Sequence, residues 1–205
     1  MPDSTDDRRD GPDPKRRITD LAALKVFTHP LRIELWRALN VVRTATASQL
    51  AEQVDEAVSL VSYHLRKMAE HGFIEEAAGE SSDGRERWWR PSEENSFTFR
   101  TADFDGNPEG AAVAAAVLRQ LLATRYARYT AYLDEAGSWP TAWSDAAFTS
   151  EFLSRLTSAE LQQAEREFTD LAERWKEHGR QAEAAGNTEG REHVALHVYG
   201  FPFRP

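Results

Sequence analysis

Apolar residues recur every three or four positions between Thr19 and Phe73, which is the spacing of amphipathic helices. The pattern predicts a first helix that is broken before His29-Pro30 and a second that ends near Asn40. Pro30 suits the first turn of the second helix, because the N–H group that proline lacks is unbonded there anyway. Two consecutive helices are therefore expected at the start of the patterned region.

Two further helices follow. Thr46-Ala47-Ser48-Gln49 has the form of a capping box and predicts a short third helix. After a brief turn, a fourth helix is expected between Ala57 and His71, closed by Gly72. Its predicted core face carries four apolar residues, Val58, Val61, Leu65 and Met68. Its opposite face presents hydroxyls, a phenol and cations, from Ser59, Ser62, Tyr63, Arg66 and Lys67.

Beyond Gly72 the period changes from helical to extended, and Asp83-Gly84 is a strong hairpin-turn dipeptide. The sequence therefore predicts a β-hairpin, here called the wing. Strand alternation places Arg85, Arg87 and Trp89 on one face and Glu86, Trp88 and Arg90 on the other. Arginines near the tip suit a narrow minor groove, whereas the two tryptophans are expected to pack against the helices.

The second half of the chain is predicted to be mainly helical. One long helix is expected from Pro108 to Ala136, and a capping box at Thr157-Ser158-Ala159-Glu160 opens another that reaches His178. The latter carries a coiled-coil-like seam of Leu161, Ala164, Phe168, Leu171 and Trp175. These stripes predict either a dimer interface or packing within one chain.

The remaining features of this half are weaker. Residues Val194 to Phe203 show the side-chain alternation of a β-strand. This pattern predicts a terminal strand that could pair with residues 148–153. Five aromatic residues fit an effector pocket or, more simply, ordinary core: Trp139, Trp143, Phe148, Phe152 and Trp175. His193 and His197 would lie about 13 Å apart on a strand, so no metal site is assigned.

Composition narrows the function. The formal charge is −9, yet residues 15–91 carry twelve Lys and Arg against eleven Asp and Glu, so the acidity lies mainly elsewhere. Cysteine is absent, which excludes disulfides, thiolate nucleophiles and sulfur-ligated zinc. We find no phosphate-binding glycine loop and no hydrolase motif, and therefore expect neither an enzyme nor a cofactor. The absence of a signal sequence or membrane span predicts a cytoplasmic protein.

Four motifs resemble the ArsR-like winged-helix family. They are His29-Pro30-Leu31-Arg32, Ser48-Gln49-Leu50-Ala51, Val61 to Met68, and Gly72-Phe73-Ile74. The resemblance implies that the helix from Ala57 to His71 enters the major groove of DNA, with Ser59, Ser62, Tyr63 and His64 as contacts. Metal-sensing members of that family commonly use a cysteine pair in the third helix, and this chain has none.

These observations predict a mainly α protein with a small β wing. Residues 1–17 form a disordered arm, residues 18–91 a winged helix-turn-helix domain, and residues 92–205 a helical dimerisation region that ends in a strand. The expected partners are double-stranded DNA and a second copy of the chain, with an unidentified small-molecule effector as the alternative if the five aromatic residues form a pocket instead of ordinary core. The predicted DNA-contact residues are Ser48, Gln49, Ser59, Ser62, Tyr63, His64, Arg66, Lys67, Arg85 and Arg87.

The predicted function is that of a sequence-specific transcription regulator, a homodimeric repressor that recognises an inverted repeat. Simpler interpretations stand beside it. Ser59 and Ser62 fit ordinary surface serines, and His64 fits a hydrogen-bonded structural histidine. The acid-rich wing also fits a winged-helix module that binds protein instead of DNA.

Overall fold

The computed structural model describes residues 16–77, 86–92, 97–104 and 106–204. The α-helices of these ranges are α1 (Leu21–Lys25), α2 (Pro30–Val42), α3 (Ala47–Val54), α4 (Val58–Glu70), α5 (Pro108–Asp134), α6 (Thr141–Ala146) and α7 (Ser158–Ala184). The strands are β1 (Arg16–Arg17), β2 (Ala45–Thr46), β3 (Ile74–Glu76), β4 (Trp88–Pro91) and β5 (Phe97–Thr98). The predicted arm up to residue 15 and the predicted wing tip at Asp83-Gly84 lie outside the described residues.

The chain divides into two compact units, residues 1–127 and 128–205. The core of the first unit is centred on Phe27, which lies in a 3-10 turn after α1. Its ring stacks on Phe97 at 4.3 Å between centroids and meets Phe73 edge-on at 4.6 Å. Such ring pairs combine large apolar burial with favourable geometry. They join the turn after α1 to the end of α4 and to β5.

The predicted wing is present as an antiparallel sheet with the strand order β2-β4-β3. Trp89 on β4 lies opposite Ala45 on β2 and Glu76 on β3, and only 4% of it is exposed. The strand β2, which comes from the connection after α2, was not predicted. Together with α3 and α4, this sheet gives a winged helix-turn-helix, and the predicted fold class is confirmed.

The first unit continues beyond Pro91. β5 pairs in parallel with β1, and the Ile18 N–H donates to the Thr98 carbonyl at 2.9 Å. Arg16 and Arg17 therefore form a strand, although the sequence pattern places them in the disordered arm. They are ordered because β5 supplies hydrogen-bond partners and because Asp103 accepts from Arg17 Nε at 3.0 Å. Further along the chain, Phe104, Ala114, Val117 and Leu121 are also buried in this core.

In the second unit, α7 begins with the predicted capping box, in which Glu160 N–H donates to Thr157 Oγ1. The predicted terminal strand is wrong. Neither residues 194–203 nor residues 148–153 form a strand. A single extended segment is not stable as a strand, because its backbone N–H and C=O groups have no neighbouring strand with which to form hydrogen bonds. Gly200 lies against the Leu161 side chain of α7 instead.

The five aromatic residues of the predicted core or pocket are not enclosed in the second unit. Trp139 and Trp143 are half-buried, whereas Phe148, Phe152 and Trp175 are 74%, 84% and 61% exposed. The favoured expectation of ordinary core is therefore wrong for these residues. No described residue from position 128 onward is buried, so the apolar side chains of this unit are at most half-buried in a single chain.

Candidate nucleic-acid interface

A tight turn at residues 55–57 joins α3 to α4. Asp55 adopts a left-handed conformation with φ of 53°, which Asp tolerates better than most residues. The Glu56 N–H donates to the Ala51 carbonyl at 3.0 Å and closes the end of α3. The turn brings α4 into packing contact with α3, as the second helix of a helix-turn-helix.

The buried face of α4 differs in one position from the prediction. Val61, Leu65 and Met68 are fully buried as expected, but Val58 is 46% exposed. Val58 lies in the first turn of the helix, before the buried stripe begins at Val61, and His64 takes the fourth buried position instead. The neighbouring Leu60 is also 38% exposed, so the start of α4 offers apolar surface.

The opposite face of α4 is polar and accessible. Ser59, Tyr63 and Arg66 are exposed, with Tyr63 at 45%, and Ser62 and Lys67 are half-buried. Hydroxyl groups can donate to or accept from base edges, and cations neutralise phosphates. This face therefore gathers five of the predicted contacts on one surface.

His64 does not belong to that surface. It is only 2% exposed, and its Nδ1 accepts a hydrogen bond from Arg32 Nε at 3.0 Å. Burial, together with the charges of the nearby His29 and Arg32, lowers the pKa of His64 to about 4. The structure thus corrects the predicted DNA contact at this position: a neutral interior imidazole cannot reach a base, and the structural interpretation of His64 is the one that holds.

Two predicted contacts lie at the start of α3, and each has a partner within the chain. Gln49 closes the capping box, because its side-chain Oε1 accepts from the Thr46 N–H at 2.9 Å. The exposed Ser48 Oγ donates to Glu86 Oε1 on the wing at 2.8 Å. A hydrogen bond therefore links the N-terminus of α3 to the wing.

Wing cations are paired with carboxylates. Arg87 forms an ion pair with Glu76 at 2.9 Å, and Arg90 Nε donates to Glu75 at 2.8 Å. The predicted contact Arg85 lies outside the described residues. In the described part of the wing, the positive charges of Arg87 and Arg90 are thus already balanced by carboxylates.

An open groove runs between α4 and the wing. Arg66 and Arg87 line it from the two sides, together with Glu70 and Glu76. On α4, Lys67 Nζ pairs with Glu70 at 2.7 Å, which raises the pKa of Lys67 and lowers that of Glu70. Sequence reasoning missed these acidic partners, although the three-residue spacing of Lys67 and Glu70 on a helix was a usable signal.

A family model described as a helix-turn-helix domain matches residues 27–77. No curated protein matches the chain. The matched range begins at Phe27 and includes α2, α3, α4 and β3. A domain of this kind suggests a DNA-binding regulator. Within the described residues, we find no helix that combines the length and apolar character needed to cross a membrane.

Proposed function

We propose that this protein is a sequence-specific, DNA-binding transcription regulator of the ArsR-like winged-helix type, with α4 as its recognition helix. The observation that supports this proposal most strongly is the division of α4 into two faces. Val61, Leu65 and Met68 fix the helix in the core, while the polar face with Tyr63 and Arg66 stays accessible. A helix held in this way can enter a major groove without losing its packing.

The proposed contacts divide by chemistry. Hydroxyl, amide and phenol groups are suited to base edges and sugar-phosphate oxygens, and the cations to phosphates. We assign Ser48, Gln49, Ser59, Ser62, Tyr63, Arg66, Lys67 and Arg87 to this surface, and Arg85 from the sequence alone. His64 supports the helix from inside.

We further propose that two copies act together as a repressor on an inverted repeat. A domain with almost balanced charge has little sequence-independent affinity, so that useful affinity calls for two recognition helices. In the second unit, α7 exposes the apolar residues Phe168, Leu171 and Trp175 at 48%, 42% and 61%. A second copy of the chain would cover them, with half-sites about 10 to 10.5 base pairs apart or a multiple of that spacing.

A gel-shift experiment tests the DNA-binding proposal. The probe is the region upstream of the protein's own gene, because self-repression is usual in the family that the sequence resembles. We expect retention of this duplex in the presence of excess scrambled competitor of the same length and composition. Equal retention of both duplexes would contradict sequence-specific binding. No retention of either would favour a winged helix that binds protein.

A reporter assay tests the regulatory direction. The same upstream region is fused to a reporter, with and without the protein. A repressor lowers the reporter signal, and a Tyr63→Ala/Arg66→Ala variant restores it. An increase caused by the wild-type protein would contradict repression and indicate an activator.

A further inference from the structure

Two cations on the proposed DNA-binding surface are paired with carboxylates on the same surface. Lys67 on α4 pairs with Glu70, and Arg87 on the wing pairs with Glu76. Both carboxylates line the groove between α4 and the wing, where Arg66 is also found. A phosphate strand that followed this groove would therefore meet Arg87, which already has an anionic partner, and would pass the carboxylate that holds Lys67.

Both pairs are accessible and easily exchanged. The exposed side-chain fractions are 40% for Lys67 and 54% for Glu70, and they are 65% for Arg87 and 56% for Glu76. Ion pairs at this exposure contribute little to stability, because water screens them and because holding two long side chains costs entropy. Such pairs are therefore poor candidates for structural elements of the fold, and a phosphate group can displace either carboxylate.

Building on the proposed DNA-binding function, we propose that Glu70 and Glu76 are intramolecular counter-ions that compete with DNA phosphates for Lys67 and Arg87 and so limit sequence-independent binding. Sequence-independent affinity comes mainly from phosphate neutralisation and the release of counter-ions from DNA. A cation that must first leave a carboxylate gains less from a phosphate, and the carboxylate left behind repels the DNA. Base contacts from residues such as Ser59 and Tyr63 do not require a cation to leave a carboxylate, so the counter-ions do not weaken them.

The test compares Glu70→Gln and Glu76→Gln with the matched control Glu109→Gln. Glu109 forms an exposed ion pair with Lys25 at 2.5 Å, between α5 and α1, so the control removes the same charge from a pair outside the groove. The probe is a fluorescent scrambled-sequence duplex, and affinity is measured by anisotropy at several salt concentrations. Thermal melting checks that each variant is folded.

We expect each groove variant to bind the scrambled duplex about threefold to tenfold more tightly than the control does, with a salt dependence steeper by about 0.9 for each additional phosphate that is neutralised. In a Lys67→Gln background, Glu70→Gln should lose most of its effect, because the cation that is hydrogen-bonded to Glu70 is gone. An equal effect in both backgrounds would mean that Glu70 acts only through the net charge of the protein. That result would overturn the counter-ion proposal for Glu70.

The outcomes separate the two proposals. If the wild-type protein binds DNA but the groove variants match Glu109→Gln, the counter-ion proposal is overturned and the DNA-binding proposal stands. If neither the wild type nor any variant binds a duplex, both proposals are overturned. Binding by the groove variants alone supports the counter-ion role directly.

Discussion

His64 on α4 accepts a hydrogen bond at Nδ1 from the Nε of Arg32 on α2, across 3.0 Å. Arg32 also donates from Nη1 to the Val26 carbonyl at 3.1 Å, in the 3-10 turn that follows α1. One guanidinium therefore links that turn to the proposed recognition helix. His64 lies beneath the exposed face of α4 and acts as a positioning residue for it.

Acidification should destabilise the protein through His64. Its pKa is lowered to about 4 in the folded state from an ordinary value near 6.5, so between these values the unfolded chain binds a proton that the folded chain does not. The free energy of unfolding should therefore fall as the pH drops from about 6.5 to about 4. One pKa unit corresponds to about 1.4 kcal/mol, and we expect a loss of roughly 2 to 3 kcal/mol from this group.

Urea denaturation of the wild type and of His64→Gln at pH 7 and pH 5 checks this expectation. The variant lacks the titrating imidazole, whereas the carboxylates with lowered pKa values remain in both proteins. The wild type should lose more stability than the variant over this interval. Parallel losses would show that His64 does not carry the effect.

Substitution of the exposed face of α4 should affect DNA binding without affecting the fold. Tyr63→Ala and Arg66→Ala remove side chains that lie opposite the buried stripe, so melting temperatures should stay near that of the wild type. Binding of the upstream duplex should weaken by about 1 to 3 kcal/mol for each side chain that touches a base. Anisotropy titration measures the change, and wild-type affinity in both variants would argue against α4 as the recognition helix.

Loss of Arg87 should change the salt dependence of binding more than its sequence preference. A wing arginine senses phosphate charge and groove width instead of base identity. Arg87→Gln should therefore reduce the slope of log affinity against log salt on both the upstream and the scrambled duplex, by about 0.9 in a Glu76→Gln background and by less in the wild type, where Glu76 competes for Arg87. Arg90→Gln, which removes a neighbouring wing arginine from its pair with Glu75, is the control. An unchanged slope would remove Arg87 from the proposed phosphate contacts.

Charges placed on the apolar side of α7 should abolish the proposed dimer. The triple variant Leu161→Asp/Phe168→Asp/Leu171→Asp would bring unpaired carboxylates into the interface, where their burial is strongly unfavourable. We expect light scattering to give a dimer mass for the wild type and a monomer mass for the variant. DNA binding should be lost together with the dimer.

Gln162→Asp/Arg166→Asp provides the control for that experiment, since it changes the net charge by the same amount on the opposite face of α7. This variant should remain dimeric and bind DNA. Circular dichroism establishes that both variants keep their helices. A monomeric wild type would contradict the dimer itself, whereas a dimeric triple variant would place the interface on another surface.

Locally encoded elements were predicted well from the sequence. Pro30 opens α2, Thr46 and Thr157 begin α3 and α7 through capping boxes, and Gly72 with φ of 70° follows the end of α4. Each signal depends on a few neighbouring residues, so no knowledge of the tertiary packing is needed. The same is true of β3 and β4 of the wing, which were predicted from the change to an extended pattern after Gly72 and from the turn dipeptide Asp83-Gly84.

Burial along α4 was less predictable. Val58 has the right spacing for the core and is nevertheless exposed, whereas the polar His64 is buried. The hydrophobicity of the two side chains predicts the opposite, a buried Val58 and an exposed His64. In the folded chain Arg32, thirty-two positions earlier, donates a hydrogen bond to Nδ1 of the buried imidazole, whereas Nε2 of the same ring is buried without a hydrogen-bond partner among the described residues.

The sequence by itself determined the order of the helices, the wing and the polar face of α4, because periodicity, capping and turn residues act over one or two turns of chain. Only the tertiary structure decided that Arg16 and Arg17 pair with β5, that Arg32 holds His64, and that Glu70 and Glu76 line one groove with Arg66 and Arg87. These relationships join residues distant in sequence. Their energies depend on distance and burial in space, which no local pattern encodes.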